Sequence, residues 1–299
     1  MKEKVKLVVV LPVGPPGPKL TLNYVLDTLH SLVTLTTPDR RIIILDDSGA
    51  AELGGQLQAA YPEVEVFRAP RSSGGPFGGL YYNLSLVYLK AYAEYDFQVL
   101  LKLDTDALIT GQEPEADAIA LFERAPDVGQ IGTYRIMSSG EPSEFSWPRQ
   151  ELLHETGVVG CIKDLKRCRA LRELLSMAER YHYDLGEHCL GGAVYFSGAC
   201  IARIAEAGWF AHEAVARSLL AEDHLFSLLA RAAGFRLGEF GGPNDPMAVQ
   251  WKGLPDSPQR LLERGKKIVH STRFWRDMPE GEVRAFFQQA RAAQAVATS

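Results

Sequence analysis

Short apolar runs alternate with longer segments of helical spacing along the first half of the chain. Apolar and β-branched residues cluster into five short runs, which predict strands at residues 6–11, 41–45, 63–67, 97–103 and 128–134. Two intervening segments, residues 20–35 and 80–95, place apolar residues three and four positions apart, as an amphipathic helix does. Strands that alternate with helices are typical of parallel strands joined by crossover helices. The pattern therefore predicts an α/β fold with a mostly parallel, Rossmann-like sheet flanked by helices.

The second half of the chain is less regular and ends in an Ala- and Gln-rich helix. Further helices are predicted at residues 163–181, 200–207, 222–233 and from residue 280 onward, and strands at residues 191–197, 235–240 and 267–270. Pro and Ser residues in the stretch 138–148 predict a mobile loop that could close over a ligand and exclude water. No linker separates two independent apolar cores, so a single domain spanning residues 1–299 is expected.

Composition and charge describe an ordinary globular protein of 299 residues, of which 46% are apolar and 23% charged. The formal net charge of −5 opposes binding to phosphate backbones and anionic membranes, so no nucleic-acid partner is expected. The longest early apolar run, residues 5–13, is too short to cross a membrane or to form a signal peptide, which predicts a cytoplasmic protein without a transmembrane segment. The cysteines show no paired spacing and are expected to be reduced and mostly buried; they are Cys161, Cys168, Cys189 and Cys200.

Acidic residues follow two of the predicted strands at the point where each strand ends. Asp46 and Asp47 follow the second strand, and Asp104 and Asp106 follow the fourth. Residues two apart in an extended chain point to the same side, so Asp104 and Asp106 can present two carboxylates to a hard cation such as Mg²⁺ or Mn²⁺. Each pair is also compatible with a polar turn that caps the next helix. Ligands of parallel α/β sheets bind at this edge, which favours a binding role for both pairs.

Three further features could contribute to a site. Glu222 and Asp223 open a predicted helix, where acidic residues also complement the helix dipole. His270 ends a short apolar run, although a lone histidine is more often structural than a ligand. The Gly-rich segment 74–79 fits neither the GxGxxG fingerprint nor the P-loop pattern, which argues against NAD and P-loop nucleotide binding. Arg71 beside this segment could face a phosphate.

Several short motifs follow one another in a defined order along the chain. They are LDDSG at residues 45–49, the stretch from Arg71 to Asn83, KLDTDALI at 102–109, GGAVYFSGACI at 191–201, AEDHLFSLLARAAGF at 221–235, and the late His270. In this order the motifs resemble those of the GT-A glycosyltransferases, and among these the inverting, family 2-like branch. The resemblance spans residues 5–272. It implies one GT-A domain, with a donor-binding half at residues 1–110 and an acceptor-binding and catalytic half at residues 111–299.

The resemblance implies roles for individual residues. The donor nucleotide is expected to contact Pro12, Val13, Asp46 or Asp47, Arg71 and Asp104. The DxD pair, here Asp104 and Asp106, and the late His270 would hold Mn²⁺ or Mg²⁺, which offsets negative charge on the leaving nucleoside diphosphate. The Glu222–Asp223 pair would supply the catalytic base, which we place at Asp223.

The implied activity is transfer of a single sugar from a nucleotide-sugar donor to an acceptor hydroxyl, with inversion favoured. The donor would be UDP-, GDP- or TDP-linked, and the acceptor a small molecule, a lipid-linked molecule or a glycan. A retaining GT-A enzyme, a sugar-1-phosphate nucleotidyltransferase and a catalytically silent nucleotide- or carbohydrate-binding domain remain as alternatives. The QxxRW pattern of processive polysaccharide synthases is missing, which argues against polymer extrusion.

Two surface features complete the predictions. Trp147, Trp209 and Trp251 are candidates for stacking on a sugar, and Trp209, which precedes the Glu222 helix, is the predicted acceptor contact. The basic residues between positions 163 and 172 could meet an anionic acceptor or a membrane surface, although a solvated helix face is the commoner case.

Overall fold

A seven-stranded sheet lies at the centre of the computed structural model, which describes residues 1–17, 20–73 and 78–298, with side chains as far as residue 293. The strands of this sheet and of two smaller ones are β1 (Glu3–Val13), β2 (Arg40–Asp46), β3 (Glu65–Arg68), β4 (Tyr95–Leu103), β5 (Ala107–Ile109), β6 (Val128–Gly132), β7 (Ala193–Ser197), β8 (Arg236–Glu239), β9 (Met247–Val249), β10 (Ile268–His270), β11 (Phe274–Trp275) and β12 (Met278–Pro279). The central sheet has the order β3-β2-β1-β4-β7-β6-β8. Neighbouring strands run parallel except at β7, which is antiparallel to β4 and β6. The predicted α/β fold with a mostly parallel sheet is confirmed.

Helices cover both faces of this sheet. They are α1 (Leu22–Leu35), α2 (Leu53–Ala60), α3 (Gly78–Glu94), α4 (Pro114–Arg124), α5 (Ser146–Thr156), α6 (Val158–Lys163), α7 (Leu165–Glu179), α8 (Gly198–Glu206), α9 (Glu222–Ala232), α10 (Pro258–Glu263) and α11 (Glu280–Thr298), with short 3₁₀ turns at Gly49–Ala51 and Val215–Arg217. Within the described ranges, no helix is both long and apolar enough to cross a membrane.

The central strand β1 shows why the sheet has two covered faces. Four consecutive apolar residues, Leu7 to Val10, have no exposed surface. Because side chains alternate along a strand, Val8 and Val10 pack with α3 and α9 on one face, while Leu7 and Val9 pack with α1 on the other. A run of apolar residues without polar alternation is what a strand buried on both faces requires.

A small three-stranded sheet, β5-β10-β9, places the late histidine beside the DxD motif. Strand β10 runs antiparallel to β5 and parallel to β9, and His270 lies opposite Ala107 in this register. Ala107 directly follows Asp106, so the pairing brings residues far apart in the chain to the end of β4.

Several predicted boundaries shift in the structure. The predicted helix 163–181 corresponds to α7, which begins two residues later, at Leu165, because Asp164 caps it by accepting a hydrogen bond from the Arg167 backbone N–H (3.0 Å). The short helix α6 before it was not predicted. The predicted loop 138–148 is irregular only to residue 145, since α5 begins at Ser146. In the Gly-rich segment 74–79, residues 74–77 lie outside the described residues, and Gly78 opens α3.

The prediction of four reduced thiols is wrong for one pair. Cys161 and Cys168 form a disulfide that joins α6 to α7. The turn at Asp164 folds α7 back beside α6, so two cysteines seven positions apart come to a Cα–Cα distance of 5.0 Å. Cys189 and Cys200 are free and buried, as expected.

Candidate active site

A cavity of about 660 Å³ lies beyond the carboxyl end of β4, within the size range of small-molecule sites. Its walls come from the turn after β4, the end of β10, the start of α9 and the start of α5. Asp104, Asp106, Glu222, Asp223 and His270 all line it. The structure therefore brings the predicted metal ligands and the predicted catalytic pair into one site.

Asp104, Asp106 and His270 converge on one point. Their ligand atoms lie within 4.8 Å of one another, which is compatible with a shared metal ion. The Nε2 atom of His270 lies 3.2 Å from Oδ1 of Asp106 and 3.9 Å from Oδ2 of Asp104. Each carboxylate thus turns one oxygen toward the imidazole.

The other oxygen of each carboxylate is held by the protein. Oδ2 of Asp106 accepts a hydrogen bond from the Ser271 hydroxyl (2.8 Å) and pairs with Nε of Arg273 (2.8 Å). Burial raises the pKa of Asp106, but His270 and Arg273 outweigh it and hold that pKa below its usual range. Oδ1 of Asp104 pairs with Nζ of Lys102 at 2.6 Å. Both carboxylates are fixed in orientation.

The His270 ring is oriented by its own contacts. Nδ1 lies 2.9 Å from the carbonyl oxygen of Gln250 and donates its hydrogen there, which directs Nε2 at the two carboxylates. Gly192 passes directly over the ring, because a Cβ at this position would lie 2.3 Å from Nδ1 of His270. A side chain at residue 192 would displace the imidazole.

The turn between the two aspartates is anchored from two sides. The carbonyl oxygen of Thr105 accepts hydrogen bonds from the Thr28 hydroxyl (2.8 Å) and from Nη2 of Arg284 (2.8 Å). Arg284 is buried on α11 and pairs with Asp27 of α1 at 3.0 Å. The first and last helices therefore fix the DxD turn.

Lys102 connects the DxD pair to the Glu222–Asp223 pair. It lies on β4 with only 2% of its side chain exposed. Its Nζ contacts Oδ1 of Asp104 (2.6 Å), Oε1 of Glu222 (3.0 Å) and the carbonyl oxygen of Gly191 (2.5 Å). Burial lowers the pKa of Lys102, but the charges of Asp104 and Glu222 outweigh it and hold the pKa above its usual value. The lysine is a buried cation shared by both acidic pairs.

Glu222 and Asp223 occupy the first turn of α9 and differ in their surroundings. Burial, reinforced by the charges of Asp223 and Asp104, raises the pKa of Glu222. Asp223 accepts backbone hydrogen bonds from Gly191 at Oδ2 (3.1 Å) and from His224 at Oδ1 (2.9 Å). Burial raises the pKa of Asp223, but His224, His188 and Lys102 hold it below its usual range. Asp223 is thus the carboxylate that stays ionised.

Two histidines flank Asp223 on the cavity wall. The rings of His188 and His224 meet edge to face with centroids 4.2 Å apart. One ligand atom from each of His188, Asp223 and His224 lies within 4.8 Å of the other two. Burial lowers the pKa of His224 to about 4, so it is neutral at neutral pH. This group is a second place where a metal ion could be held.

The predicted donor residues lie at the carboxyl ends of β1 and β2. Val13 is buried and Pro12 half-buried at the end of β1. Both oxygens of Asp46 are used within the protein, since they accept hydrogen bonds from Ser48 (3.0 Å) and Gly54 (3.1 Å) backbone N–H groups. Asp47 is half-buried. Asp46 therefore holds the turn after β2.

The loop that carries Arg71 lies beside Asp47. Oδ2 of Asp47 accepts a hydrogen bond from the Ser73 backbone N–H at 2.7 Å, and the Asn83 side chain donates to the Arg71 carbonyl oxygen at 2.7 Å. The Arg71 guanidinium stacks on Tyr82 and pairs with Glu213 at 3.1 Å. Arg71 is therefore paired with a carboxylate of the same chain.

The predicted acceptor contact Trp209 lies elsewhere. Its side chain packs against His212 and the core around α3, and it is not among the described residues that line the cavity. Trp147 and Trp251 do line the cavity and are 48% and 77% exposed. The order of tryptophans along the chain gave no signal for this difference, because Trp147 reaches the cavity through the position of α5.

Sequence reasoning also missed Lys102 and Arg273. Lys102 stands within the apolar run of β4. A lysine at a buried strand position could have indicated a site, because a buried charge needs oppositely charged or hydrogen-bonding partners. Arg273 follows β10 and gave no signal of its own.

Comparison with known protein families gives no match, and no curated protein matches the chain. Among solved structures, the chain is similar to S. aureus TarS 1-349, with 16% identity over 79% of this chain and 58% of that one and a TM-score of 0.43. It is also similar to another S. aureus TarS structure, with 15% identity over 87% of this chain and 38% of that one and a TM-score of 0.42. The apo structure of the bifunctional glycosyltransferase WbbM is similar at 10% identity over 98% of this chain and 50% of that one, with a TM-score of 0.47.

The chain spans between 38% and 58% of the length of these structures. At these identities and TM-scores the likeness assigns neither a family nor an activity. The function is therefore argued from the site itself.

Proposed function

We propose that the protein is a metal-dependent glycosyltransferase of the GT-A type, which moves one sugar from a nucleotide-diphosphate donor to an acceptor hydroxyl with inversion. The observation that carries this proposal is the convergence of Asp104, Asp106 and His270 on one point of a cavity that Asp223 also lines. A metal-binding group and an ionised carboxylate on one cavity are the two requirements of the reaction.

The residues fit a divalent ion such as Mn²⁺ or Mg²⁺. Two carboxylate oxygens and one imidazole nitrogen face the same point, and hard divalent cations prefer such oxygen-rich sets, with the nitrogen favouring Mn²⁺. The tautomer fixed by the Gln250 carbonyl leaves Nε2 of His270 free to act as a ligand. When bound, the ion would offset the negative charge that develops on the leaving diphosphate.

Asp223 would accept the proton of the acceptor hydroxyl. Each of its oxygens already accepts one backbone hydrogen bond, which orients the carboxylate while leaving further lone pairs for a substrate. Its pKa is held below the usual range, so the group is ionised and able to act as a base at neutral pH. Lys102 would hold Glu222 and Asp104 in place and so keep the base and the metal ligands in a fixed arrangement.

The donor nucleotide would lie along the carboxyl ends of β1 and β2, next to β4. Of the two acidic residues after β2, Asp47 is the better candidate for a ribose or base contact, because both oxygens of Asp46 serve the turn. Arg71 would need to exchange Glu213 for a phosphate in order to act there.

The acceptor would stack on Trp147 or Trp251 rather than on Trp209. An exposed indole on a cavity wall offers a flat apolar surface to a sugar ring, whereas Trp209 is half-buried and packs against the core. Trp147→Ala is expected to raise the KM for the acceptor, whereas Trp209→Ala serves as the comparison and should leave that KM unchanged. The opposite result would return the acceptor contact to Trp209.

The transferase proposal is tested by nucleotide release from UDP-, GDP- and TDP-linked sugars in the presence of Mn²⁺. We expect one donor class to be turned over, and turnover to be lost in Asp104→Ala/Asp106→Ala but retained in Asp96→Ala, an exposed aspartate outside the cavity. Asp223→Asn should abolish release while leaving the donor-induced thermal shift nearly intact.

Other results of these assays would support one of the alternative functions. A thermal shift with every donor but no turnover would indicate a silent nucleotide- or carbohydrate-binding domain. Pyrophosphate-dependent formation of a sugar-1-phosphate would indicate a nucleotidyltransferase. Retention of the anomeric configuration in the product would contradict the proposed inversion but not the proposed sugar transfer.

A further inference from the structure

Five large aliphatic side chains are exposed on three consecutive helices. They are Leu153 on α5, Val158, Val159 and Ile162 on α6, and Leu165 on α7, with exposed fractions between 49% and 80%. We call this set the apolar patch. Single exposed aliphatic residues are common, but a group this close along the chain marks a surface that contacts something apolar.

Helix α6 presents its apolar residues outward by construction. A Cβ at the buried Gly160 would lie 2.2 Å from the carbonyl oxygen of Glu155, so the glycine side of α6 is pressed against the end of α5. Val158, Val159 and Ile162 lie on the side left to solvent. The disulfide between Cys161 and Cys168 then ties α6 to α7. The patch is held by packing and by a covalent bond.

Basic residues are concentrated in the stretch of chain that carries most of the apolar patch. Residues 158–172 contain five basic residues and one acidic residue, although the whole chain has a net charge of −5. Lys163, Lys166, Arg169 and Arg172 are exposed, while Arg167 is buried and pairs with Glu155 at 3.2 Å. The acidic Asp164 is paired with Arg217 at 2.6 Å, so it does not offset the exposed cations.

We propose that this surface docks on a membrane that contains anionic lipids, with the apolar patch in the headgroup region and the four exposed cations on the lipid phosphates. Exposed aliphatic residues flanked by Lys and Arg are the combination that binds peripheral proteins to anionic bilayers. The negative charge of the whole chain does not prevent this, because salt screens charges beyond about 8 Å and the local cluster dominates at contact. The four exposed cations favour a bilayer with anionic lipids over a neutral one.

The surface stands close to the active-site cavity. Helix α5 carries Trp147 of the cavity wall at its start and Leu153 of the apolar patch in its second half. At about 1.5 Å per residue, these two side chains are separated by roughly 9 Å along the helix axis. A membrane-docked protein would therefore hold the cavity near the lipid surface, where a lipid-linked acceptor would be presented.

Vesicle co-sedimentation tests the docking and needs no sugar donor, so its outcome is independent of the proposed transferase activity. We expect the full chain to bind vesicles of phosphatidylcholine with about 30% phosphatidylglycerol more tightly than pure phosphatidylcholine, and to dissociate as salt is raised. Lys166→Glu/Arg169→Glu should weaken binding about tenfold or more. Val158→Ser/Ile162→Ser should also weaken it about tenfold.

The controls separate docking from misfolding. Arg124→Glu/Arg260→Glu makes the same change in net charge at exposed sites away from the apolar patch and should bind vesicles as the unmodified protein does. Val158 and Ile162 are 74% and 80% exposed, so their replacement should leave the melting temperature unchanged.

Two results would overturn the proposal. The first is absence of binding to the anionic vesicles, or equal loss of binding in the control pair and the patch variants. The second is a change of oligomeric state in Val158→Ser/Ile162→Ser, measured by light scattering, with vesicle binding unaltered, because the apolar patch would then join two copies of the chain.

Discussion

Replacement of Lys102 by Met tests whether this lysine is the buried cation that unites the two acidic pairs. Met keeps most of the length of the side chain and removes the charged end, so Asp104 and Glu222 lose the partner that lies 2.6 Å and 3.0 Å away. Removing one member of a buried ion pair costs about 3–5 kcal/mol. Asp104 is 30% and Glu222 15% exposed, so water partly replaces the lysine and we expect the lower end, about 3 kcal/mol.

Lys90 provides a matched control. Its Nζ also lies between two carboxylates, Glu94 and Glu65 (2.9 Å), but its side chain is 24% exposed where that of Lys102 is 2% exposed. Because water and salt screen such a pair, Lys90→Met should cost less than about 1 kcal/mol. The free energy of unfolding from urea denaturation at neutral pH, measured for both variants, gives the comparison.

The pH dependence has a defined sign. The pKa of Lys102 is raised above its ordinary 10.5 in the folded protein, so its contribution to stability is full below pH 10.5 and is lost as pH rises through the folded value. In Lys102→Met, Glu222 loses the cation that lowers its pKa, so that pKa, already raised by burial, rises further and the deficit should shrink as pH falls and Glu222 gains a proton. Equal stability of Lys102→Met and Lys90→Met at neutral pH would refute the reasoning.

Two further predictions concern the geometry of the site and the α6–α7 junction. Gly192→Ala places a methyl group 2.3 Å from Nδ1 of His270 and should weaken Mn²⁺ binding, as measured by calorimetry. The control Gly55→Ala, where a Cβ meets nothing within 4 Å, should leave Mn²⁺ affinity unchanged. Unchanged affinity in Gly192→Ala would mean that His270 is not a ligand. Asp164→Asn keeps the helix cap but removes the charge that Arg217 stabilises. The pKa of Asp164 is lowered chiefly by that hydrogen bond, so the variant should lose less than about 1 kcal/mol at neutral pH. The loss should begin to shrink as pH falls below the ordinary 3.8 and disappear only as pH falls through the lower folded value, which chemical denaturation at several pH values would measure.

Local patterns were sufficient for most of the central sheet. The apolar run within residues 6–11 predicts a buried strand without reference to any neighbour, and the helical spacing of residues 20–35 predicts α1. The predicted helix 163–181 matches α7 to within two residues at each end, but α6, with only six residues, was not predicted. The Cys161–Cys168 disulfide was missed because it depends on the turn at Asp164 that places α6 beside α7.

The candidate site was predictable where its residues are neighbours in the chain. Asp104 and Asp106 lie two positions apart and share a direction, so their pairing needs only the end of one strand. His270 reaches them through β5, β9 and β10, which have three residues each and leave almost no periodic signal. The family resemblance, rather than any local pattern, pointed to that histidine.

Packing decides which tryptophan meets the cavity. Trp209 stands just before α9 in the sequence, yet it packs against His212. Trp147 is far from the acidic motifs in the chain, yet α5 brings it to the wall beside His224, with ring centroids 5.3 Å apart. Such placements depend on how helices meet, which a single sequence does not encode locally.

The central claim, a metal ion held by the DxD pair and the late histidine, is tested most directly by anomalous diffraction at the manganese edge from crystals grown with Mn²⁺ and a nucleoside diphosphate. We predict one peak bounded by Oδ2 of Asp104, Oδ1 of Asp106 and Nε2 of His270, with the diphosphate beside it. A peak at His188, Asp223 and His224 instead, or no peak with the nucleotide bound, would contradict it.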